Sequence, residues 1–300
     1  RDASIRTLTF PHDRYRPGQR AMAVEVFRAV RDEKPLLVQA ATGIGKTLAA
    51  VFPAIKAMGE GLTSKIFYLT ARTTTRTVAE HTVMTLRAGG LRLKTLTLTA
   101  KDKICPEPDA VCSGRQCPYA RGYYDRLRDA LPQIFQQDRL DRSTVEEAAA
   151  HWRLCPFALS LVLSHYADCI ICDYNYAFDP RAYLRHFFDD EGAPYTFLVD
   201  EAHNLVDRAR DMFSAELSRR SFVTARKGLR GKHSGLYRSL GHIAAWMRKS
   251  VKDAPADQER WSETEPPAGL EPLLRKFAGQ AERWLVHNEE SPLRPSLLEI

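Results

Sequence analysis

A glycine-rich segment near the start of the chain, Ala-Ala-Thr-Gly-Ile-Gly-Lys-Thr at residues 40 to 47, has the residue types that bind phosphate. Glycines let backbone N–H groups turn toward an anion, and the first turn of a following helix adds a favourable dipole. Lys46 would reach the β- and γ-phosphates of a nucleotide, and the Thr47 hydroxyl would hold Mg²⁺. The segment predicts a triphosphate site, although Ala40 stands where the strict pattern has its first glycine. The residues expected to contact the nucleotide or its metal here are Thr42, Gly43, Gly45, Lys46 and Thr47.

Two adjacent carboxylates follow an apolar run much later in the chain. The run is Phe-Leu-Val at residues 197 to 199, and Asp200, Glu201 and His203 come directly after it. Asp200 would hold the Mg²⁺ that bridges the phosphates, and Glu201 would orient and deprotonate the attacking water. His203 lies on the same turn, where it could sense the γ-phosphate or contact a neighbouring motif. Together with the glycine-rich segment, this pair predicts hydrolysis of a nucleoside triphosphate.

Four cysteines lie in a polar and basic part of the chain, at Cys105, Cys112, Cys117 and Cys155. Four thiolates satisfy either a tetrahedral zinc ion or a 4Fe–4S cluster. Cys117 and Cys155 are each followed by proline and an aromatic residue, and bacterial iron–sulfur segments favour Cys-Pro. Zinc sites more often show paired C-x-x-C spacing, which these four cysteines lack. The spacing therefore favours iron–sulfur and leaves zinc open.

The remaining two cysteines, Cys169 and Cys172, form a C-x-x-C inside an apolar run. If that run is a strand, an offset of three residues sends the two side chains to opposite faces. We therefore interpret both as thiols packed in the core and not as a ligand pair.

Alternating strand and helix patterns must position these groups. We predict strands at Leu36–Val38, Ile66–Leu69, Thr95–Leu98, Cys169–Cys172 and Thr196–Val199. Helical spacing occurs at Ala21–Val30, Leu48–Met58 and Val78–Leu86. Repeated strand–turn–helix units predict an α/β fold with a mostly parallel sheet covered on both faces.

Two or three domains are expected, because 300 residues exceed what one core usually organises, and the motif order favours three. Residues 1–99 and 161–205 would form the α/β domain, residues 100–160 a cysteine-rich insertion, and residues 206–300 a helical domain. In the last of these, Trp246, Trp261 and Trp284 would either stack on bases or pack the helices together.

The formal charge of +7 favours a polyanion as partner. Within the insertion, tyrosines alternate with arginines, and Arg115, Tyr119 and Arg121 are candidates for contacts to nucleic acid. No apolar run of about 18 residues occurs, so no membrane segment is expected. The chain starts at Arg1 without a leader, from which we expect a cytoplasmic fragment of a longer protein.

Taken in order, these motifs resemble those of the XPD/DinG family of iron–sulfur DNA helicases. Tyr15–Gln19 resembles the family's Q motif, and Thr70–Thr73 resembles its motif Ia. Asp173–Tyr176 resembles the segment ahead of the DEAH box, and Asp200–His203 reads Asp-Glu-Ala-His, the box itself. The resemblance covers about residues 14–205.

The resemblance implies a RecA-like motor domain that binds ATP and Mg²⁺, with Gln19 on the adenine side and Arg72 and Thr73 at the DNA backbone. It implies that the four-cysteine insertion holds a 4Fe–4S cluster near the point of strand separation, and that the helical segment begins an arch domain. It also implies 5′ to 3′ movement on single-stranded DNA, activity at DNA junctions, and a need for a second motor domain, which this chain lacks. We further expect a monomer.

The sequence is also compatible with two other hypotheses. The chain could be a nucleic-acid-binding module in which ATP and the redox state of the cluster act as switches, without processive unwinding. It could also be an unrelated P-loop enzyme with a zinc insertion; iron, sulfide and zinc analysis separates the last possibility from the first two.

Overall fold

The computed structural model describes residues 1–110, 112–181, 184–188, 193–253, 262–288, 291–298 and 300. They separate into two compact units, Arg1–Ser214 and Ala215–Ile300. The finer division into three domains stays a prediction.

The strands of the first unit form one parallel sheet. They are β1 Lys65–Leu69, β2 Thr95–Thr97, β3 Arg139–Leu140, β4 Cys169–Cys172 and β5 Tyr195–Val199. Within the described residues their order is β3-β2-β4-β1-β5, and every neighbouring pair runs parallel. Parallel neighbours need crossover connections, which helices provide on the faces of the sheet. The predicted mostly parallel α/β fold is confirmed.

The helices of the first unit alternate with the strands along the chain. They are α1 Asp2–Thr7, α2 Gln19–Arg31, α3 Lys46–Gly59, α4 Thr73–Ala88, α5 Lys101–Ile104, α6 Tyr123–Ile134, α7 Arg142–Trp152, α8 Pro156–Tyr166, α9 Asn175–Phe178 and α10 Leu205–Met212. Across the described parts of both units, we find no helix with the length and apolar character that a membrane span requires.

Two apolar cores lie on the two faces of the sheet, and β4 shows how they are separated. Ile170 and Cys172 belong to one core, while Cys169 and Ile171 belong to the other. This alternation is the period of two that a strand imposes. Burial raises the pKa of the Cys169 thiol to about 12 and also raises the pKa of Cys172. The prediction that these cysteines are packed thiols on opposite faces is confirmed.

The cysteine-rich segment contributes to the core of the first unit. Its strand β3 pairs with β2 at the edge of the sheet. Leu127 of α6, Val145 of α7 and Leu159 of α8 are buried in the same core as Phe67 of β1. The segment therefore contains elements that complete one side of the α/β layer, in addition to the loop that carries three of the four cysteines.

One predicted strand is wrong. Residues 34–41, which include Leu36–Val38, have no regular secondary structure. The Leu37 side chain is 93% exposed, and Leu36 and Val38 are also exposed. A run of apolar residues indicates strand propensity, but a strand forms only where a neighbour supplies backbone hydrogen bonds, and the sequence does not specify that neighbour.

The second unit is helical. It contains α11 Arg219–Gly228, α12 Ser234–Asp253, α13 Leu270–His287 and α14 Arg294–Leu298. Its core includes Phe222, Leu240 and Phe277, and Trp284 packs against it. The Trp246 indole N–H donates to the Ala268 carbonyl oxygen at 3.0 Å. Trp261 lies outside the described residues.

Candidate nucleotide site and the adjoining groove

The glycine-rich loop turns directly into helix α3. Gly43 and Gly45 have φ angles of +85° and +81°, a region that side chains with a Cβ rarely adopt. Lys46 is the first residue of α3, so the positive end of this helix lies at the loop. The predicted loop-to-helix arrangement is present, although no strand precedes it.

Two side chains from the start of the chain hold this loop. The Arg16 guanidinium donates to the Gly43 carbonyl oxygen. Gln19 Nε2 donates to the Gly45 carbonyl oxygen at 3.3 Å, and Gln19 Oε1 accepts from the Arg16 backbone N–H at 3.0 Å. Gln19 is only 2% exposed. The described contacts of Gln19 are therefore with the loop itself, and its predicted position beside adenine stays a prediction.

The acidic pair follows β5 at the carboxyl edge of the sheet. The Asp200 N–H donates to the Leu69 carbonyl oxygen at 2.9 Å, which continues the pairing of β5 with β1 by one residue. Glu201 has φ 52° and ψ 46°, the left-handed region, which costs about 1–3 kcal/mol for a residue other than glycine. Lys46 Nζ lies 3.8 Å from Glu201 Oε1, and His203 Nδ1 lies 3.4 Å from Glu201 Oε2. Lys46 of the glycine-rich loop and Glu201 of the acidic pair are thus neighbours; below, the acidic edge means the segment Asp200–His203.

The two predicted Mg²⁺ ligands meet at a third side chain. The Tyr68 hydroxyl interacts with the side chains of both Thr47 and Asp200. Burial, followed by the negative charge of Asp200, raises the pKa of Tyr68, so this hydroxyl stays protonated at neutral pH. Tyr68 is therefore a shared neighbour of Thr47 and Asp200, and the joint binding of Mg²⁺ by these two side chains stays a prediction.

Tyr174 forms hydrogen bonds to the backbone of the acidic pair, a role that sequence reasoning missed. Its side chain is fully buried. The hydroxyl donates to the carbonyl oxygens of Asp200 and Glu201, the latter at 3.2 Å. Burial and the charges of Asp200 and Glu201 raise the pKa of Tyr174 to about 12. The only signal in the sequence was the position of this tyrosine in the segment ahead of the acidic pair.

A groove of about 970 Å³ opens at the same edge of the sheet. Arg72 and Thr73, the predicted motif Ia contacts, line it together with Asp173, Asn175 and Arg208. Two of the four candidate ligand cysteines, Cys105 and Cys112, line it as well. Arginine side chains around an open groove suit a phosphate backbone.

The four candidate ligand cysteines are all free thiols. Cys117 is buried, Cys105 and Cys155 are half-buried, and Cys112 is exposed. The described residues include no group of three or more His, Cys, Asp and Glu side chains that could hold a metal ion. The donor chemistry fits an iron–sulfur cluster or zinc, because four unpaired thiols are available in one segment of the first unit.

An arginine ties two of these cysteine segments together. Arg126 donates to the carbonyl oxygen of Arg153, two residues before Cys155, at 2.8 Å. It also donates to the carbonyl oxygen of Arg121 at 2.5 Å, in the turn that follows Cys117. The backbones that present Cys117 and Cys155 are therefore held by one guanidinium.

The remaining predicted nucleic-acid contacts lie in the turn around Cys117. Arg115 and Arg121 are exposed and Tyr119 is half-buried. Arg121 lines a smaller cavity of about 280 Å³ with Gln116 and Arg153. These residues do not line the larger groove, so the structure brings Arg72 and Thr73 together but places Arg115, Tyr119 and Arg121 elsewhere.

Two family models match the chain. The model for DEAD_2 matches residues 87–222, and the model for DEAD/DEAH box helicase matches residues 19–141. Regulator of telomere elongation helicase 1 of Homo sapiens is 26% identical over 145 residues, which cover 44% of this chain and 12% of that protein. Fanconi anemia group J protein homolog of Gallus gallus is 28% identical over 162 residues, which cover 50% of this chain and 13% of that protein. Each match thus spans about an eighth of the curated relative.

Two solved structures share the fold. A structure titled "XPD_Helicase" aligns with a TM-score of 0.59 and 19% identity over 96% of this chain and 48% of that chain. A structure titled "Truncated XPD" aligns with a TM-score of 0.58 and 20% identity over 92% of this chain and 76% of that chain. Identities this low support the fold alone. The helicase-domain models and the curated helicase relatives together support a likeness to XPD/DinG-like helicases of superfamily two.

Proposed function

We propose that this chain carries the ATP-binding motor domain of a DNA helicase that couples ATP hydrolysis to translocation on single-stranded DNA and to unwinding. One observation carries the proposal: Lys46 Nζ lies 3.8 Å from Glu201 Oε1. A phosphate-binding lysine and a carboxylate that activates water must flank the same γ-phosphate, so the two groups have to be neighbours in the folded chain.

Each side chain at this edge has a part in the proposed reaction. Lys46 leaves Glu201 when nucleotide enters, and binds the β- and γ-phosphates. Thr47 and Asp200 would hold Mg²⁺, which would neutralise charge on the phosphates. Glu201, once released from Lys46, orients and deprotonates the attacking water. His203, at 3.4 Å from Glu201 Oε2, restrains the orientation of that carboxylate.

The groove beside Arg72 and Thr73 is the proposed path of the DNA backbone. Movement from 5′ to 3′ and activity at junctions rest on the family resemblance. A second motor domain would supply an arginine finger, worth about 10³–10⁵ in rate. We therefore expect residues 1–300 alone to bind nucleotide weakly and to hydrolyse it slowly.

Cys105, Cys112, Cys117 and Cys155 are the proposed ligands of a 4Fe–4S cluster. Support comes from four free thiols in one segment and from the resemblance to iron–sulfur helicases. When bound, such a cluster would cross-link the loop that carries the first three cysteines to the start of α8. Cys112 is exposed. A bond from its thiolate to the cluster would hold the loop in place.

Strand separation by the complete protein tests the motor function. Lys46→Ala removes the phosphate contact and is expected to abolish ATP binding and unwinding. Glu201→Gln is expected to keep ATP binding and to lower the ATP turnover number by about 10²–10⁴-fold, because only the water-activating carboxylate is lost. The matched controls are Lys34→Ala and Glu60→Gln, which change exposed residues outside the site. Unwinding retained by either Lys46→Ala or Glu201→Gln would exclude these roles.

A further inference from the structure

The turn Asp173–Asn175, directly after β4, connects the groove to the backbone of Asp200 and Glu201. Tyr174 contacts the acidic edge through its hydroxyl, and its neighbours in sequence, Asp173 and Asn175, line the groove. Tyr174 itself is fully buried and is not part of the groove surface. Adjacent residues of one short turn therefore face two different sites.

On the groove side, one arginine holds this turn. Arg208 Nη2 donates to Asp173 Oδ1 at 2.7 Å and to Asn175 Oδ1 at 2.8 Å. Asp173 Oδ1 also accepts from the Asn175 backbone N–H at 2.9 Å. Arg208 Nε is buried and has no hydrogen-bond partner among the described residues. A phosphate oxygen entering the groove would offer this guanidinium a new acceptor in competition with Asp173.

On the other side, the tyrosine hydroxyl fixes a strained backbone. Glu201 has a φ of 52°. Its carbonyl oxygen accepts from the Tyr174 hydroxyl at 3.2 Å, from Asn204 Nδ2 at 3.1 Å and from the Asn204 N–H at 2.9 Å. A conformation that is rarely populated persists only where its surroundings hold it. Removing the Tyr174 hydroxyl leaves only the two donors from Asn204 on this carbonyl oxygen and so weakens the restraint on the Glu201 backbone.

We propose that Tyr174 is the positioning residue through which a polynucleotide in the groove controls Glu201. A backbone phosphate draws Arg208 away from Asp173, the Asp173–Asn175 turn shifts, and the Tyr174 hydroxyl moves the Asp200–Glu201 backbone with it. This inference rests on the proposed function, because it takes the groove as the DNA path and Glu201 as the group that activates water.

Coupling between the two ligands tests the proposal without requiring turnover. The measurement is the affinity of residues 1–300 for a fluorescent oligothymidylate, with and without saturating Mg²⁺ and a slowly hydrolysed ATP analogue. For the unaltered chain we expect nucleotide to change the DNA affinity by roughly fivefold or more. For Tyr174→Phe we expect the DNA affinity without nucleotide to stay within about twofold, because this residue does not line the groove, and the effect of nucleotide to disappear.

The proposed path from Arg208 through the Asp173–Asn175 turn to Tyr174 is called the relay below. Arg208→Gln changes its first residue, on the groove side, and is expected to reduce the coupling as well. If both residues act in one relay, the double variant should lose no more coupling than either single variant. Tyr195→Phe, which removes a hydroxyl from a half-buried tyrosine in β5, is the matched control and should retain the full coupling.

Each other outcome decides against one of the two proposals. Undiminished coupling in Tyr174→Phe overturns the relay. So does a loss of DNA affinity and of thermal stability with no change in coupling, since a purely structural tyrosine would give that result. An unaltered chain that binds both ligands without coupling also overturns the relay and leaves the proposed function standing. A chain that binds neither ligand contradicts the proposed function itself.

Discussion

Gln19 closes over Gly45 in the glycine-rich loop: Gln19 Nε2 donates to the Gly45 carbonyl oxygen at 3.3 Å. A Cβ atom placed on Gly45 would lie 2.4 Å from that same nitrogen, and the φ angle of Gly45 is +81°. The loop therefore has no room for a side chain at residue 45, because the buried Gln19 amide occupies that space.

Gly45→Ala is expected to weaken nucleotide binding by at least tenfold, since the alanine meets both an unfavourable φ and the Gln19 amide. Gly61→Ala is the matched control, because Gly61 has a similar φ of +78° but nothing within 4 Å of a new Cβ. Backbone strain alone costs about 1 kcal/mol in each variant, and the Gln19 contact adds to the loss only in Gly45→Ala. Isothermal titration with Mg²⁺ and an ATP analogue distinguishes them, and equal nucleotide affinities would show that the Gln19 contact is unimportant.

Replacing a proposed cluster ligand should remove iron. Cys155→Ser is expected to lose iron, sulfide and broad visible absorbance from anaerobically purified protein, because serine is a poor ligand for the cluster. Cys172→Ala is the control: this thiol is buried in β4 with a raised pKa. It should keep full iron content and lose only about 1 kcal/mol of stability. Stoichiometric zinc in the unaltered protein, with no iron, would show that the four cysteines bind zinc and not an iron–sulfur cluster.

Lys65 should give the first unit a measurable pH dependence of stability. Lys65 is the first residue of β1, and its ammonium donates to the carbonyl oxygens of Ser164 and His165 near the end of α8. Burial lowers the pKa of Lys65 from 10.5 to about 8. Between these values the unfolded chain keeps a proton that the folded chain has released, so the free energy of unfolding rises with pH.

The pH effect of Lys65 can be isolated by substitution. The free energy of unfolding of the unaltered chain, relative to that of Lys65→Met, should increase by about 1 kcal/mol between pH 7.5 and 10, after allowance for solvent screening. Lys56→Met is the matched control, because Lys56 also donates to backbone carbonyls, those of Ile5, Arg6 and Leu8. Denaturant titrations at each pH give both numbers. The same pH dependence in the two variants would rule out burial of Lys65 as its cause.

Arg72 should account for part of the salt dependence of DNA binding. Arg72 lines the groove at the carboxyl edge of the sheet, so Arg72→Ala should weaken binding of single-stranded DNA. The slope of log affinity against log salt should fall by about 0.7, the value for one phosphate contact on a single strand. Arg92→Ala is the control, because Arg92 is exposed ahead of β2 at the opposite edge of the sheet. Fluorescence anisotropy across a salt series measures both, and equal slopes for the two variants would place the DNA elsewhere.

The amino-acid sequence by itself determined the parallel α/β layer and the motif order. Short apolar runs predicted β1, β4 and β5. The alternation of side chains along a strand, which is a local property, placed Cys169 and Cys172 on opposite faces. The same local reasoning failed at Leu36–Val38, whose apolar character does not create a hydrogen-bonded neighbour. It also missed β3, since two residues are too few to show a period.

Only the tertiary structure decided which distant residues meet. Lys46 and Glu201 are far apart in the chain, and the contact between them depends on how the strands are ordered in the sheet. The role of Tyr174 was equally invisible in the sequence, because a tyrosine between Asp173 and Asn175 looks like an ordinary turn residue. Its function follows from the carbonyl oxygens that its hydroxyl reaches, and long-range hydrogen bonds of this kind are set by the folded backbone and not by residue type or spacing.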